Sequence, residues 1–182
     1  VVINTNQDNQ FYKPTEKIMT QNLAMVSPFN ADVELRRQHR AVIEDYMSRR
    51  GEGRLTRYQL FTADGAGGLW TNDTLEPIVS RGQENLKAHG AWALQCFPDW
   101  QWTNVRIFET QDPNHWWVEC DGAGQILLPG YPPGRYENHF IHSFTMCDGK
   151  IKEQREFMNP YRQMVALGIP ITKIRRQGIP VD

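Results

Sequence analysis

The chain has 182 residues, 40% of them hydrophobic and 11% aromatic, with a formal net charge of -1. That is enough to close one sizeable core and too little to favour two domains, and the scattered Lys and Arg leave no electrostatic footprint for a nucleic acid. Cys96, Cys120 and Cys147 are odd in number and lack metal-ligand spacing, which fits reduced thiols in a cytoplasmic protein better than a disulfide scaffold.

Residues 1–30, "VVINTNQDNQFYKPTEKIMTQNLAMVSPFN", have no positively charged start followed by a continuous apolar run. They read as a flexible polar arm, neither a signal peptide nor a membrane span, with residues 31–182 as a single domain. Asp32 is placed to cap a helix that carries Leu35, Val42, Ile43, Tyr46 and Met47 on one face and stops before Gly51. A shorter helical segment is expected over Arg54–Phe61. The glycines of "TADGAGG" neither follow a strand nor open a helix in a phosphate-binding pattern, so this stretch reads as a flexible turn. Leu69–Val79 reads as a strand or hairpin around Asn72-Asp73, and Gly82–Gln95 as a second long helix with Leu86, His89, Ala93 and Leu94 near one face, ended by Pro98-Asp99.

Beyond Pro98 the period changes. "QWTNVRIFET", "HWWVECDG", "GQILLPG", "ENHFIHSFTM" and "KIKEQREFM" are short, rich in aromatic and β-branched residues, and separated by turn residues, the signature of consecutive antiparallel strands. Asp148-Gly149 predicts a two-residue hairpin with Cys147 facing Lys150. Counting outward puts Ile141 opposite Glu156, Ser143 opposite Gln154 and His139 opposite Met158 on one face, with Phe140, His142, Phe144, Arg155 and Phe157 on the other. In the first long strand, Trp102 and Phe108 are expected to point one way and Val105 and Ile107 the other. Two helices cover only one face of such a sheet, so the second is expected to be buried against another copy of the chain. The predicted fold is α+β: a curved antiparallel sheet wrapped around the helices as a cone, open as a pocket at its wide end.

Glu156 stands beside Phe157 and Met158, where an unpaired carboxylate costs several kcal/mol. It is either a strand-edge carboxylate paired with Arg155, Lys152 or another base, or a pocket acid whose burial keeps a proton available near neutral pH. His89, on the apolar face of the second helix, is either a core histidine bonded to a carbonyl or a proton-transfer partner reaching the same cavity. Arg57, at the expected mouth, is either solvated or turned inward to grip a carboxylate. Tyr131 and Tyr136 lie on a Pro-Gly-rich approach to a strand, as packing residues whose hydroxyls find one partner. His139 and His142 point to opposite faces, no other cluster has ligand spacing, and no nucleophilic triad pattern is present, so no metal is expected.

"ELRRQHRAVIEDYM", "CFPDWQWTNVRIFETQDPNHWWVECDG", "YENHFIHSF" and "KIKEQREFMNPYRQMVALGIP", spanning roughly residues 32 to 182, closely resemble the phenazine biosynthesis A/B family. The resemblance implies a homodimeric, cofactor-free cone of the ketosteroid-isomerase or SnoaL-like class. It implies an enzyme that condenses two molecules of 6-amino-5-oxocyclohex-2-ene-1-carboxylic acid head to tail, forming two imines and expelling two waters to give the tricyclic phenazine precursor. It puts the acid on Glu156, its partner histidine on His89, the carboxylate-binding arginine on Arg57 and a pocket tyrosine on Tyr136. The small hydroxyl residue expected one helical turn after the histidine is Ala93 here, which removes one substrate hydrogen bond. The alternatives are a non-catalytic ligand-binding paralogue, which the presence of both His89 and Glu156 opposes, and an isomerase, dehydratase or cyclase on the same fold.

Overall fold

The computed structural model describes residues 28–172 and 178, with side chains from residue 32. Most of the arm expected over residues 1–30 lies outside the described residues, and its last three belong to a helix, because α1 runs Pro28–Ser48. Asp32 is thus not a cap; it accepts a hydrogen bond from Arg36 Nε at 3.0 Å. The predicted apolar face is used: Ile43 and Met47 enter the core, with Val42 and Tyr46 packed against it. The same helix is tied to the turn after the third strand. Arg36 donates to the carbonyls of Thr110 and Gln111 at 2.8 and 2.9 Å, and His39 Nδ1 donates to that of Pro113 at 3.0 Å.

Gly51, at φ 50°, breaks the helix direction. A 3₁₀ segment follows over Gly51–Leu60, longer than expected. With three residues per turn, side chains three apart lie in line, so Arg54 and Arg57 share a face.

"TADGAGG" is not a turn but the body of strand β1, Phe61–Leu69. Its glycines serve close approach: a Cβ on Gly68 would stand 2.0 Å from the carbonyl oxygen of Ile78 in β2, Ile78–Arg81. The stretch Leu69–Val79, expected as strand, is mostly the loop that joins the two, and Asn72-Asp73 lies in it. Helix α2 is Gln83–Cys96. Strands β3 Gln101–Glu109, β4 His115–Ile126, β5 Gly134–Cys147 and β6 Lys150–Met158 complete the sheet, with "GQI" fused into β4. A short helix α3, Pro160–Ala166, had no sequence expectation; Asn159 caps it by accepting from Tyr161 N at 3.1 Å.

The strand order is β2-β1-β6-β5-β4-β3 in one open curved sheet. All neighbours are antiparallel except β1 and β6, which run parallel. The last hairpin turns as predicted: Asp148 and Gly149 both have positive φ, 50° and 70°, and Cys147 pairs with Lys150. Past that point the predicted register slips by one. Met146 pairs with Ile151 and Thr145 with Glu153, which leaves Lys152 as an extra residue. Glu156 therefore pairs with His142 rather than Ile141, Gln154 with Phe144 rather than Ser143, and Met158 with Phe140 rather than His139.

A second irregularity, around Asn104 at φ 51°, reverses the expected sides of β3. Trp102 and Ile107 face the core, whereas Val105 and Phe108 are exposed. Trp102 and Trp100 find room because residue 122 is glycine; a Cβ there would lie 2.3 Å from the Trp100 ring and 2.6 Å from that of Trp102. Helices and 3₁₀ segment meet the inner face over a core that includes Trp116, Phe140, Phe144 and Ile151. Among the described residues no helix is long and apolar enough to cross a membrane.

Candidate active site

The inner face, the 3₁₀ segment and α2 enclose a cavity of about 180 Å³, roughly ten times the room that one buried water requires. Glu156, His89, Arg57, Tyr136 and Ala93 all line it. They come from four elements: the 3₁₀ segment, α2, β5 and β6.

Glu156 enters from β6 because the extra residue at Lys152 sets the parity of that strand. Its side chain is 19% exposed, and its backbone carbonyl accepts from Trp70 N at 2.8 Å. The pairing with Arg155 or Lys152 does not form: Arg155 pairs with Glu153 and Lys152 with Asp64. Burial pushes the carboxyl up to about 7, and the positive charge of Arg57 offsets only part of that rise. Glu156 therefore keeps a share of its acid form at neutral pH, as a donor in an apolar wall.

Arg57 is turned inward. One terminal N–H donates to the Arg49 carbonyl at 2.7 Å, the guanidinium lies 4.8 Å above the Tyr46 ring, and Nε is buried with no partner among the described residues. Burial lowers its pKa, while Tyr46 and Glu156 act to raise it. A cation with an unused donor in a closed site is a ready partner for a carboxylate. Arg54, one 3₁₀ turn earlier and absent from the sequence-based candidates, also lines the cavity but is committed: it donates to the carbonyls of Phe97 and Ala93 at 2.5 and 2.8 Å, closing the C-terminal end of α2. The spacing of three on a short helical segment was the available signal for it.

His89 lies on the inward face of α2, with Nδ1 2.9 Å from the Ser80 hydroxyl of β2 and its ring edge-on to Trp92. Burial lowers its pKa, which favours the neutral ring. Ser80, which orients it, carried no sequence signal. Ala93 follows one turn later and presents a methyl group. Tyr136 is buried, its hydroxyl accepting from Asn138 Nδ2 at 2.9 Å, and burial pushes the phenol up to about 12. Tyr131 is exposed in the preceding loop.

The register also brings in His142, a residue the sequence reading had put on the other face. Its imidazole is completely buried, and burial, with Arg57 adding to it, holds its pKa down to about 3. Its Nδ1 lies 2.9 Å from Gln154 Nε2 and 3.7 Å from Glu156 Oε2. The hint was in the strand itself: Ile151 and Met158, seven apart, cannot both point inward by strict alternation. His139 remains on the outer face, bonded to Asp121 at 2.8 Å. Among the described residues no group of three or more His, Cys, Asp or Glu is placed to hold a metal ion.

Comparison with known proteins agrees with this architecture. Residues 19–181 match the family described as phenazine biosynthesis protein A/B. Phenazine biosynthesis protein PhzB of Pseudomonas fluorescens is 60% identical over 153 residues, 84% of this chain and 94% of the relative. The crystal structure of the phenazine biosynthesis-related protein PhzB2 from Pseudomonas aeruginosa superposes with a TM-score of 0.82 at 58% identity, covering 84% of this chain and 99% of that one. A protein from Jannaschia sp. CCS1 described as a SnoaL-like polyketide cyclase, 19% identical, shares the fold with a TM-score of 0.58 over 74% of this chain and 94% of its own. With its SnoaL-like, ketosteroid-isomerase-like α+β fold, this chain belongs to the phenazine biosynthesis protein A/B family.

Proposed function

We propose that the cavity condenses two molecules of 6-amino-5-oxocyclohex-2-ene-1-carboxylic acid head to tail, with Glu156 as the general acid and His89 as its proton-transfer partner. The observation that carries this reading is a buried carboxyl in an apolar wall that lines the same cavity as the Arg57 guanidinium and His89, with burial raising its pKa toward neutrality.

Each amine nitrogen attacks the ketone carbon of the other molecule to give a carbinolamine. Glu156 donates its proton to the carbinolamine hydroxyl, which leaves as water while the nitrogen lone pair closes the C=N bond. The proton then released from nitrogen returns to the carboxylate, directly or through His89. Two such cycles expel two waters, and the chemistry balances with no oxidant and no cofactor.

Amines and ketones condense unaided in water, so much of the acceleration comes from holding two molecules in reacting orientation. Arg57, whose guanidinium lines the cavity, anchors one carboxylate. General acid help adds about 10²–10⁴-fold. Ala93 supplies no hydroxyl, so orientation on that side rests on Tyr136, whose phenol stays a neutral hydrogen-bonding group. In this reading the working form is a homodimer.

The test follows tricycle formation by mass spectrometry from freshly generated aminoketone, with no enzyme, with the wild type and with Glu156→Gln. A wild-type acceleration that Gln largely abolishes supports the assignment. A wild-type rate equal to the uncatalysed one overturns it and leaves a ligand-binding protein.

A further inference from the structure

His142 does not line the cavity, yet it is the ladder partner of Glu156. Its ring is held nearly parallel to Phe140 and Phe144, at 6.2 and 6.1 Å between centroids, with Trp102 perpendicular to it at 5.0 Å. Its Nε2 is buried with no partner among the described residues. Such an orphan is costly and calls for an explanation beyond packing. Hydrophobic stacking alone is served better by a third phenylalanine.

The explanation lies at the other ring nitrogen. The Gln154 amide nitrogen is 2.9 Å from His142 Nδ1, so the amide N–H donates and Nδ1 accepts. A neutral imidazole has one acceptor lone pair, which places the ring proton on Nε2. Gly67 leaves space for that amide orientation: a Cβ there would stand 3.2 Å from Gln154 Oε1. Apart from His89, which lines the cavity, the other groups around Glu156 are poor proton acceptors. Arg57 of the 3₁₀ segment carries only donors, and Tyr46 of α1, Cys120 of β4 and Tyr136 of β5 present hydroxyls or a thiol rather than a base. The base behind Glu156 is His142, with Nδ1 3.7 Å from Oε2.

We propose that Gln154 and His142 are a positioning pair for Glu156, in which the Gln154 amide occupies the acceptor nitrogen of His142 so that the acid proton is left to the cavity and not drawn back into the strand. This rests on the reading of Glu156 as the acid. Low basicity of the buried imidazole acts in the same direction, because a protonated His142 would hold Glu156 as a carboxylate. Removing the amide frees Nδ1 to accept from Glu156; removing the imidazole as well takes that trap away.

Two measurements test the pair. In the kinetic one, Gln154→Leu lowers kcat by about tenfold or more with little change in KM, and adding His142→Leu recovers most of the loss. A double variant as slow as the single one overturns the proposal. In the other, ¹⁵N NMR of imidazole-labelled wild type, with no substrate, reports Nδ1 as the unprotonated hydrogen-bonded nitrogen and Nε2 as the protonated one. The opposite tautomer overturns the proposal whether or not the variants fold, and whatever reaction the cavity performs.

Discussion

The Glu156 carboxyl titrates at about 7 because burial raises its pKa more than Arg57 lowers it. In the unfolded chain the same group titrates near 4.5. Between these values the folded protein holds a proton that the unfolded chain has lost. The resulting stabilisation is fully present below the lower value and disappears as pH rises through the upper one. Glu156→Gln fixes the side chain in a neutral form, so the variant is expected to be more stable than the wild type at pH 8, with the gap closing toward pH 5. Urea unfolding at both pH values reads this directly, and a wild type that is the more stable at pH 8 contradicts a carboxylate strained by burial. Arg57 gives the complementary sign. It is the group that lowers the Glu156 pKa, so Arg57→Gln leaves burial unopposed and shifts the alkaline fall of kcat to higher pH. The same substitution removes a charged hydrogen bond to substrate, raising KM by about 10- to 100-fold. A limb that stays in place while KM rises would place Arg57 at the carboxylate but away from the acid.

At the scale of elements, the two long helices and the last turn were legible because their signals are local. The face of α1 follows from Ile43, Tyr46 and Met47 at helical spacing, and Asp148-Gly149 dictates its own turn. What was not legible depends on two backbones meeting. Glycines in "TADGAGG" read as a turn because glycine most often relaxes a chain, whereas Gly68 is there to let β2 approach within contact of β1. The register of β6 was shifted by a single extra residue, Lys152, and with it went the true neighbours of Glu156. His89 and Arg57 were found from their own elements and motifs, whereas His142, Gln154 and Arg54 matter through partners 12 to 43 residues away in sequence. Gly122 shows the cost of ignoring such meetings. Gly122→Ala inserts a methyl into space held by Trp100, Trp102 and Phe140, with contacts of 2.3 to 2.8 Å, and overpacking of this kind costs about 1–3 kcal/mol. A thermal unfolding midpoint several degrees lower is expected; an unchanged one means that the indoles move aside freely.

For the molecule as a whole, the sheet has a wet side that does not look built for water. On β3 to β6 the outer face carries Phe108, Trp117 and Ile141 exposed at 38–45%, with Phe108 paired to Trp117, the Trp117 ring 6.3 Å from Phe157, and Phe157 paired to Ile141. These contacts make one continuous apolar row rather than scattered residues, and monomers seldom leave such a patch open. The polar groups beside this row already have partners: Arg106 pairs with Glu119, and Asp121 accepts from Asn104 and His139. Covering the row therefore leaves these groups hydrogen-bonded, which lowers the cost of burying a polar surface. A second copy of the chain presenting the same row is the self-complementary occupant that two-fold symmetry favours, and we propose the homodimer on that basis. Sedimentation equilibrium is expected to give a dimer for the wild type and a monomer for Trp117→Glu combined with Ile141→Glu. Because both substitutions lie on the face away from the cavity, the monomer should retain the near-ultraviolet circular dichroism of its buried tryptophans. A wild type that sediments as a monomer removes the dimer from the proposal and leaves the row of Phe108, Trp117, Phe157 and Ile141 without a partner of its own kind.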